Sequence, residues 1–125
     1  MHTLDEKKAL LGHRKIKSKF FVSKYGVSIE NIEQLAVPAI KPDDNRQIII
    51  LDEIGKMECF SDKFKDAALN ALRSPNHVIG TIAVGGTEFI KKIKQRNDME
   101  LIEITRENRD TVPLTIIKAM QDEYK

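Results

Sequence analysis

A chain of 125 residues, 41% of them hydrophobic and 32% charged, is long enough for one packed domain and too short for two ordinary ones. It has no apolar run near the ~20 residues of a membrane helix and no apolar core in residues 1–8 that would make a signal peptide; its single cysteine, Cys59, excludes an internal disulfide and fits a cytoplasmic protein. The net charge of +2 is unevenly spread: Lys7 to Lys24 holds seven basic residues and no acid, while the remainder holds 14 basic and 19 acidic residues, a net −5.

The pattern along the chain predicts alternating strands and helices. Lys19–Ser23 is expected as a strand and Tyr25-Gly26 as a turn. Ser28 is placed to cap a helix from about Ile29 to Ile40, with Ile29, Ile32, Leu35 and Ala36 on one face and Pro38 bending or ending it. The polar stretch Lys41–Arg46 is the clearest loop and the expected internal boundary. Ile48-Ile49-Ile50-Leu51 predicts a strand buried on both faces, which implies a parallel sheet with helices on either side. Ser61 caps the next predicted helix, Asp62 to Arg73, with Phe64, Ala67, Ala68, Ala71 and Leu72 inward. His77–Val84 predicts a second buried strand, and Thr87 caps a helix through about Gln95 that turns Phe89, Ile90 and Ile93 inward. Met99–Ile104 alternates as an edge strand would, and Thr111–Tyr124 predicts a last helix with Pro113 tolerated in its first turn. This order indicates an α/β fold on a parallel sheet.

The strongest chemical signal is Ile48-Ile49-Ile50-Leu51-Asp52-Glu53. Apolar residues followed by two acids at the carboxyl end of a parallel strand form the Walker B pattern, and ligands in such sheets bind beyond those ends. The first acid can hold Mg²⁺, usually through water; the second can polarise a water for attack on phosphorus. The bland alternative is a buried strand followed by a charged turn.

The longer string Asp52-Glu53-Ile54-Gly55-Lys56-Met57-Glu58, followed by Phe60-Ser61, resembles the nucleoside-triphosphatase family first known from thermophiles. Further similar segments lie in order: Lys24-Tyr25-Gly26-Val27, Ile32-Glu33, Val37-Pro38-Ala39-Ile40, Gly80-Thr81-Ile82, and Thr105-Arg106-Glu107-Asn108-Arg109-Asp110. The likeness runs from about Thr3 to the end. It implies a three-layer P-loop fold with a mainly parallel sheet and slow hydrolysis of nucleoside triphosphates, ATP or GTP among them, to diphosphate and phosphate. By resemblance Asp52 is the Mg²⁺-linked acid and Glu53 orients the attacking water. Ile48, Ile49, Ile50, Leu51, Asp52, Glu53, Ile54 and Gly55 line the nucleotide site. Thr81 senses the γ-phosphate or water, and Arg106, Asn108 and Arg109 are candidates for contacts to the base or phosphates.

One departure from that pattern is large. The family opens with a strand, a Gly-x-x-x-x-Gly-Lys-Ser/Thr loop and a helix, and none of the six glycines here (Gly12, Gly26, Gly55, Gly80, Gly85, Gly86) stands in such a loop. Only Gly55 precedes a lysine; Met57 then replaces the hydroxyl and Ile50 the first glycine. The expectation is therefore one incomplete domain over residues 1–125 that lacks the first strand, loop and helix. It would have a basic segment over 1–41 and the Walker B strand with its following α/β units over 47–125. Charge-assisted hydrogen bonds contribute about 1.5–3 kcal/mol each, so losing three weakens phosphate binding by roughly 10³-fold or more. On this expectation the chain does not turn over nucleotides usefully unless a complementing chain supplies the loop, and unpaired apolar strand edges make it prone to aggregate.

Other residues carry weaker signals. His2, His13, His77 and Cys59 lack metal-ligand spacing. The basic run Lys7–Lys24, interleaved with Phe20, Phe21 and Tyr25, leaves open non-catalytic alternatives, a remnant without activity or a module binding RNA or an acidic ligand through residues 7–24; a solvated strand or loop is the plainer explanation. Lys91, Lys92 and Lys94 fit the solvated side of a helix.

Overall fold

The computed structural model describes residues 12–13, 21–22, 25–42 and 48–123. The chain divides into two compact units, Met1–Ile93 and Lys94–Lys125. The break expected at Lys41–Arg46 falls largely on residues outside the described set, as does most of the basic run 7–24.

The first unit begins with three short strands, β1 (Gly12–His13), β2 (Phe21–Val22) and β3 (Tyr25–Val27), in an antiparallel sheet with β3 central. β2 lies within the predicted 19–23 strand. Tyr25-Gly26, expected as a turn, is instead part of β3. Gly26 pairs with His13 on one side and Phe21 on the other. Two neighbours that satisfy its backbone outweigh the local turn preference of glycine. Val27, the last residue of β3, is buried.

The predicted helix from Ile29 forms in three parts. α1 (Ile29–Asn31) and α2 (Val37–Ala39) flank a π-helical middle, Ile32–Ala36. Ser28 caps the start, accepting the Asn31 N–H at 3.3 Å. The Val37 N–H bonds to the Ile32 carbonyl five residues back. Pro38 explains the wide turn: it has no N–H to give, and its ring crowds the carbonyl four residues earlier. The run stops one residue after it. Ile32 and Ile40 enter the core, while Ile29, Leu35 and Ala36 stay partly exposed.

The second sheet is parallel: β4 (Ile48–Ile54) beside β5 (His77–Ile82). β4 is not buried on both faces. Ile49, Leu51 and Ile54 are buried, but Ile48 is 46% and Ile50 53% exposed. Two-sided burial needs a layer over each face, and among the described residues the face carrying Ile48 and Ile50 is open. β5 ends at Ile82 rather than Val84, although the Ala83 N–H still reaches the Ile54 carbonyl at 3.1 Å. Between the strands, α3 (Asp62–Arg73) has the predicted limits, with Ser61 accepting the Phe64 N–H at 3.1 Å. Phe64, Ala68 and Ala71 are buried; Ala67 and Leu72 are half-buried. α4 (Glu88–Lys94) closes the unit with Ile90 and Ile93 buried, Phe89 half-buried and the Thr87 hydroxyl accepting the Ile90 N–H at 3.3 Å.

In the second unit the predicted strand Met99–Ile104 does not form. A strand exists only where its N–H and C=O groups meet a partner, and no described residue pairs with this segment. Leu101 and Ile104 are exposed, and the Glu103 carbonyl accepts the Asn108 side-chain amide at 2.8 Å. α5 (Val112–Glu123) forms as expected, with Pro113 in its first turn; Tyr124 lies outside the described residues. No described helix is long and apolar enough to cross a membrane.

Candidate functional site

The two acids stand where β4 departs from regular pairing. Leu51 pairs with Gly80 and Ile54 with Ile82. Three steps along β4 therefore match two along β5, and Asp52 and Glu53 together face Thr81. This is a β-bulge, a device that re-aims side chains. Its effect shows in the burial sequence. Ile49 and Leu51 point in and Ile50 out, so strict alternation would bury Glu53 and expose Ile54. Instead Asp52 and Glu53 are both exposed and Ile54 returns to the core. The bulge thus presents both carboxylates at the carboxyl end of the parallel pair without burying a charge.

Thr81 donates its hydroxyl proton to Asp52 Oδ1 at 2.8 Å. Beyond Glu53 the chain closes into a tight turn. The Gly55 N–H donates to Glu58 Oε2 at 3.1 Å, and the Gly55 carbonyl accepts the Cys59 N–H at 3.3 Å. A side chain on Gly55 would begin 3.0 Å from Glu53 Oε1 and 3.1 Å from Glu58 Oε2, so the two carboxylates converge over the bare glycine. Burial pushes the Glu58 carboxyl above its ordinary range, against the lowering effect of its backbone hydrogen bonds, and the Glu53 carboxylate adds to the rise. Burial also raises the Cys59 thiol, although a hydrogen bond with the Thr87 side chain opposes it. Ser61, beneath this turn, caps α3 and donates to Glu33 Oε1 at 3.3 Å, which ties the π-helical segment to α3.

The residues expected to line the site fall into groups. Asp52, Glu53 and Thr81 are brought together. Ile49, Leu51 and Ile54 are core residues that anchor the bulge, Gly55 is its buried turn, and Ile48 and Ile50 lie on the open face. Arg106, Asn108 and Arg109 belong to the second unit. There Asn108 organises its own loop: Oδ1 accepts the Thr105 N–H at 2.7 Å, its N–H donates to Thr105 Oγ1 at 3.3 Å, and its carbonyl accepts the Val112 N–H at 2.9 Å. Arg106 and Arg109 are exposed on that loop. Sequence reasoning missed Glu58, whose signal was the Gly55-x-x-Glu58 spacing, that of an acid reaching back to a backbone N–H.

The donor set bears on a metal. Among the described residues no cluster of three or more acid, histidine or cysteine side chains can hold an ion. A divalent cation held by one or two carboxylates and otherwise by water and substrate phosphates needs no such cluster. Asp52 suits it: exposed, with one oxygen occupied by Thr81.

The chain as a whole is similar to known proteins. A family model described as NTPase matches residues 1–117. Nucleoside-triphosphatase THEP1 of Aquifex aeolicus is 35% identical over 127 aligned residues, which cover 95% of this chain and 71% of that protein. The human cancer-related nucleoside-triphosphatase is 33% identical over 113 residues, covering 83% of this chain and 60% of its own length. The crystal structure of the Aquifex protein superposes with a TM-score of 0.87 at 36% identity, covering 94% of this chain and 73% of that one. The solution structure of the human protein gives 0.79 at 28% identity, covering 98% and 72%. An acid pair at the carboxyl end of a parallel strand, a family match over most of the length and relatives at a third identity place this chain in the NTPase family, within the P-loop nucleoside-triphosphatases.

Proposed function

We propose that these residues form the acidic half of a site for hydrolysis of nucleoside triphosphate to diphosphate and phosphate. The observation that supports this most is the bulge, which sets Asp52 and Glu53 side by side where a triphosphate would sit. Glu53 accepts a hydrogen bond from water and aligns it for attack on the γ-phosphorus. Asp52 would hold a divalent cation, Mg²⁺ by preference, which would supply charge to offset that of the phosphates. The cytoplasm, reducing and rich in Mg²⁺ and nucleotides, suits this chemistry and the free, buried Cys59.

No Gly-x-x-x-x-Gly-Lys-Ser/Thr string occurs in the 125 residues. Turnover therefore depends on a phosphate-cradling loop contributed from outside them, whether by further sequence or by a complementing chain. Phosphate release from ATP and GTP with Mg²⁺ tests both statements. The 125-residue chain is expected to release phosphate no faster than buffer. Adding a chain that carries the loop is expected to give turnover that Glu53→Gln abolishes. Glu53-dependent turnover by the 125 residues alone would overturn the need for the loop. Restored turnover indifferent to Glu53→Gln would overturn the role of Glu53.

A further inference from the structure

The hydrogen bond between β5 and β4 gives Thr81 a task other than the phosphate contact suggested by its position. A hydroxyl has one proton to donate. Thr81 gives its proton to Asp52 Oδ1 at 2.8 Å, across the bulge in which Asp52 and Glu53 share the single opposing residue. A bulged strand lacks regular ladder bonds at that point, so this side-chain bond fixes the Asp52 carboxylate where the backbone pairing relaxes. Gly80 reinforces it. A Cβ there would lie 2.9 Å from the Leu51 carbonyl oxygen, so the absence of one lets the two strands close up immediately before Thr81 and Asp52.

We propose that Thr81 is a positioning residue that orients Asp52, leaving Oδ2 to face the cation's water, and that it is not a phosphate contact. This rests on the reading of Asp52 as the carboxylate that holds the cation. Partners of metal-holding groups typically carry 10–100-fold in metal affinity, and that factor is the size of effect expected.

The test is Mn²⁺ binding to the isolated chain without nucleotide, followed residue by residue through paramagnetic broadening of backbone amides. Broadening is expected around residues 51–53 and 80–82 and is expected to vanish in Asp52→Asn. Thr81→Val, which keeps the β-branched shape, is expected to need about 10–100-fold more Mn²⁺, and Thr81→Ser to restore the original response. Should Thr81→Val disturb the spectrum elsewhere, Thr81→Ala carries the same comparison. Broadening that survives Asp52→Asn would overturn the cation reading and this inference with it. Loss in Asp52→Asn together with an unchanged Thr81→Val would overturn this inference alone and return Thr81 to the phosphate.

Discussion

Replacing Gly80 by alanine tests how closely the two parallel strands must approach to form the site. The added Cβ would stand 2.9 Å from the Leu51 carbonyl oxygen and 3.2 Å from the Leu51 Cβ. The first is backbone and cannot swing aside, so β4 must move. Overpacking of this kind costs about 1–3 kcal/mol, offset by about 0.4–1 kcal/mol because alanine loses less chain entropy on folding. At the midpoints of these ranges the net destabilisation is about 1.3 kcal/mol. For a domain of this size each 1 kcal/mol moves the melting temperature by about 3–5 °C, so Gly80→Ala is expected to melt about 4–7 °C lower. Gly85→Ala is the control, because nothing lies within 4 Å of a Cβ there, and it is expected to melt at or a few degrees above the parent temperature. Circular dichroism melts and urea titrations of the three proteins measure this. Gly80→Ala melting at or above the parent temperature would refute the close approach of β4 and β5 and, with it, the geometry that brings Thr81 to Asp52.

Two further substitutions probe the turn below the acids. Ser61 is 1% exposed, caps α3 and bonds Glu33, so Ser61→Ala is expected to cost about 1–2 kcal/mol in urea unfolding; a loss under about 0.3 kcal/mol would show that the cap carries little. Glu58 is a carboxyl whose folded-state pKa is raised by burial. The folded state therefore holds its proton more tightly, and Glu58 stabilises the fold relatively at low pH and loses that contribution as pH rises through its raised value. Glu58→Gln, which still accepts the Gly55 N–H, is expected to be at least as stable as the parent at pH 7, with any advantage shrinking toward pH 4; an advantage that grows on acidification would contradict the sign.

Local chemistry was legible from the sequence. Ser61 followed by a 3.6-residue apolar repeat fixes α3 to its limits, because a cap and a helical face are set within a few residues. Thr87 and α4 follow the same logic, and the acid pair after four apolar residues marks the candidate site. Pairing was not legible. Gly26 sits in a strand because two neighbours bond it. Met99–Ile104 has the alternation of a strand and none of the pairing. The run Ile48–Leu51 suggests two-sided burial, yet one face is open. The bulge at Asp52-Glu53 is the sharpest case. Whether one residue or two oppose Thr81 is defined by the register with β5, a strand more than twenty residues away. The sequence names the two carboxylates; the partner strand decides that both face outward together and that Thr81 holds the first of them.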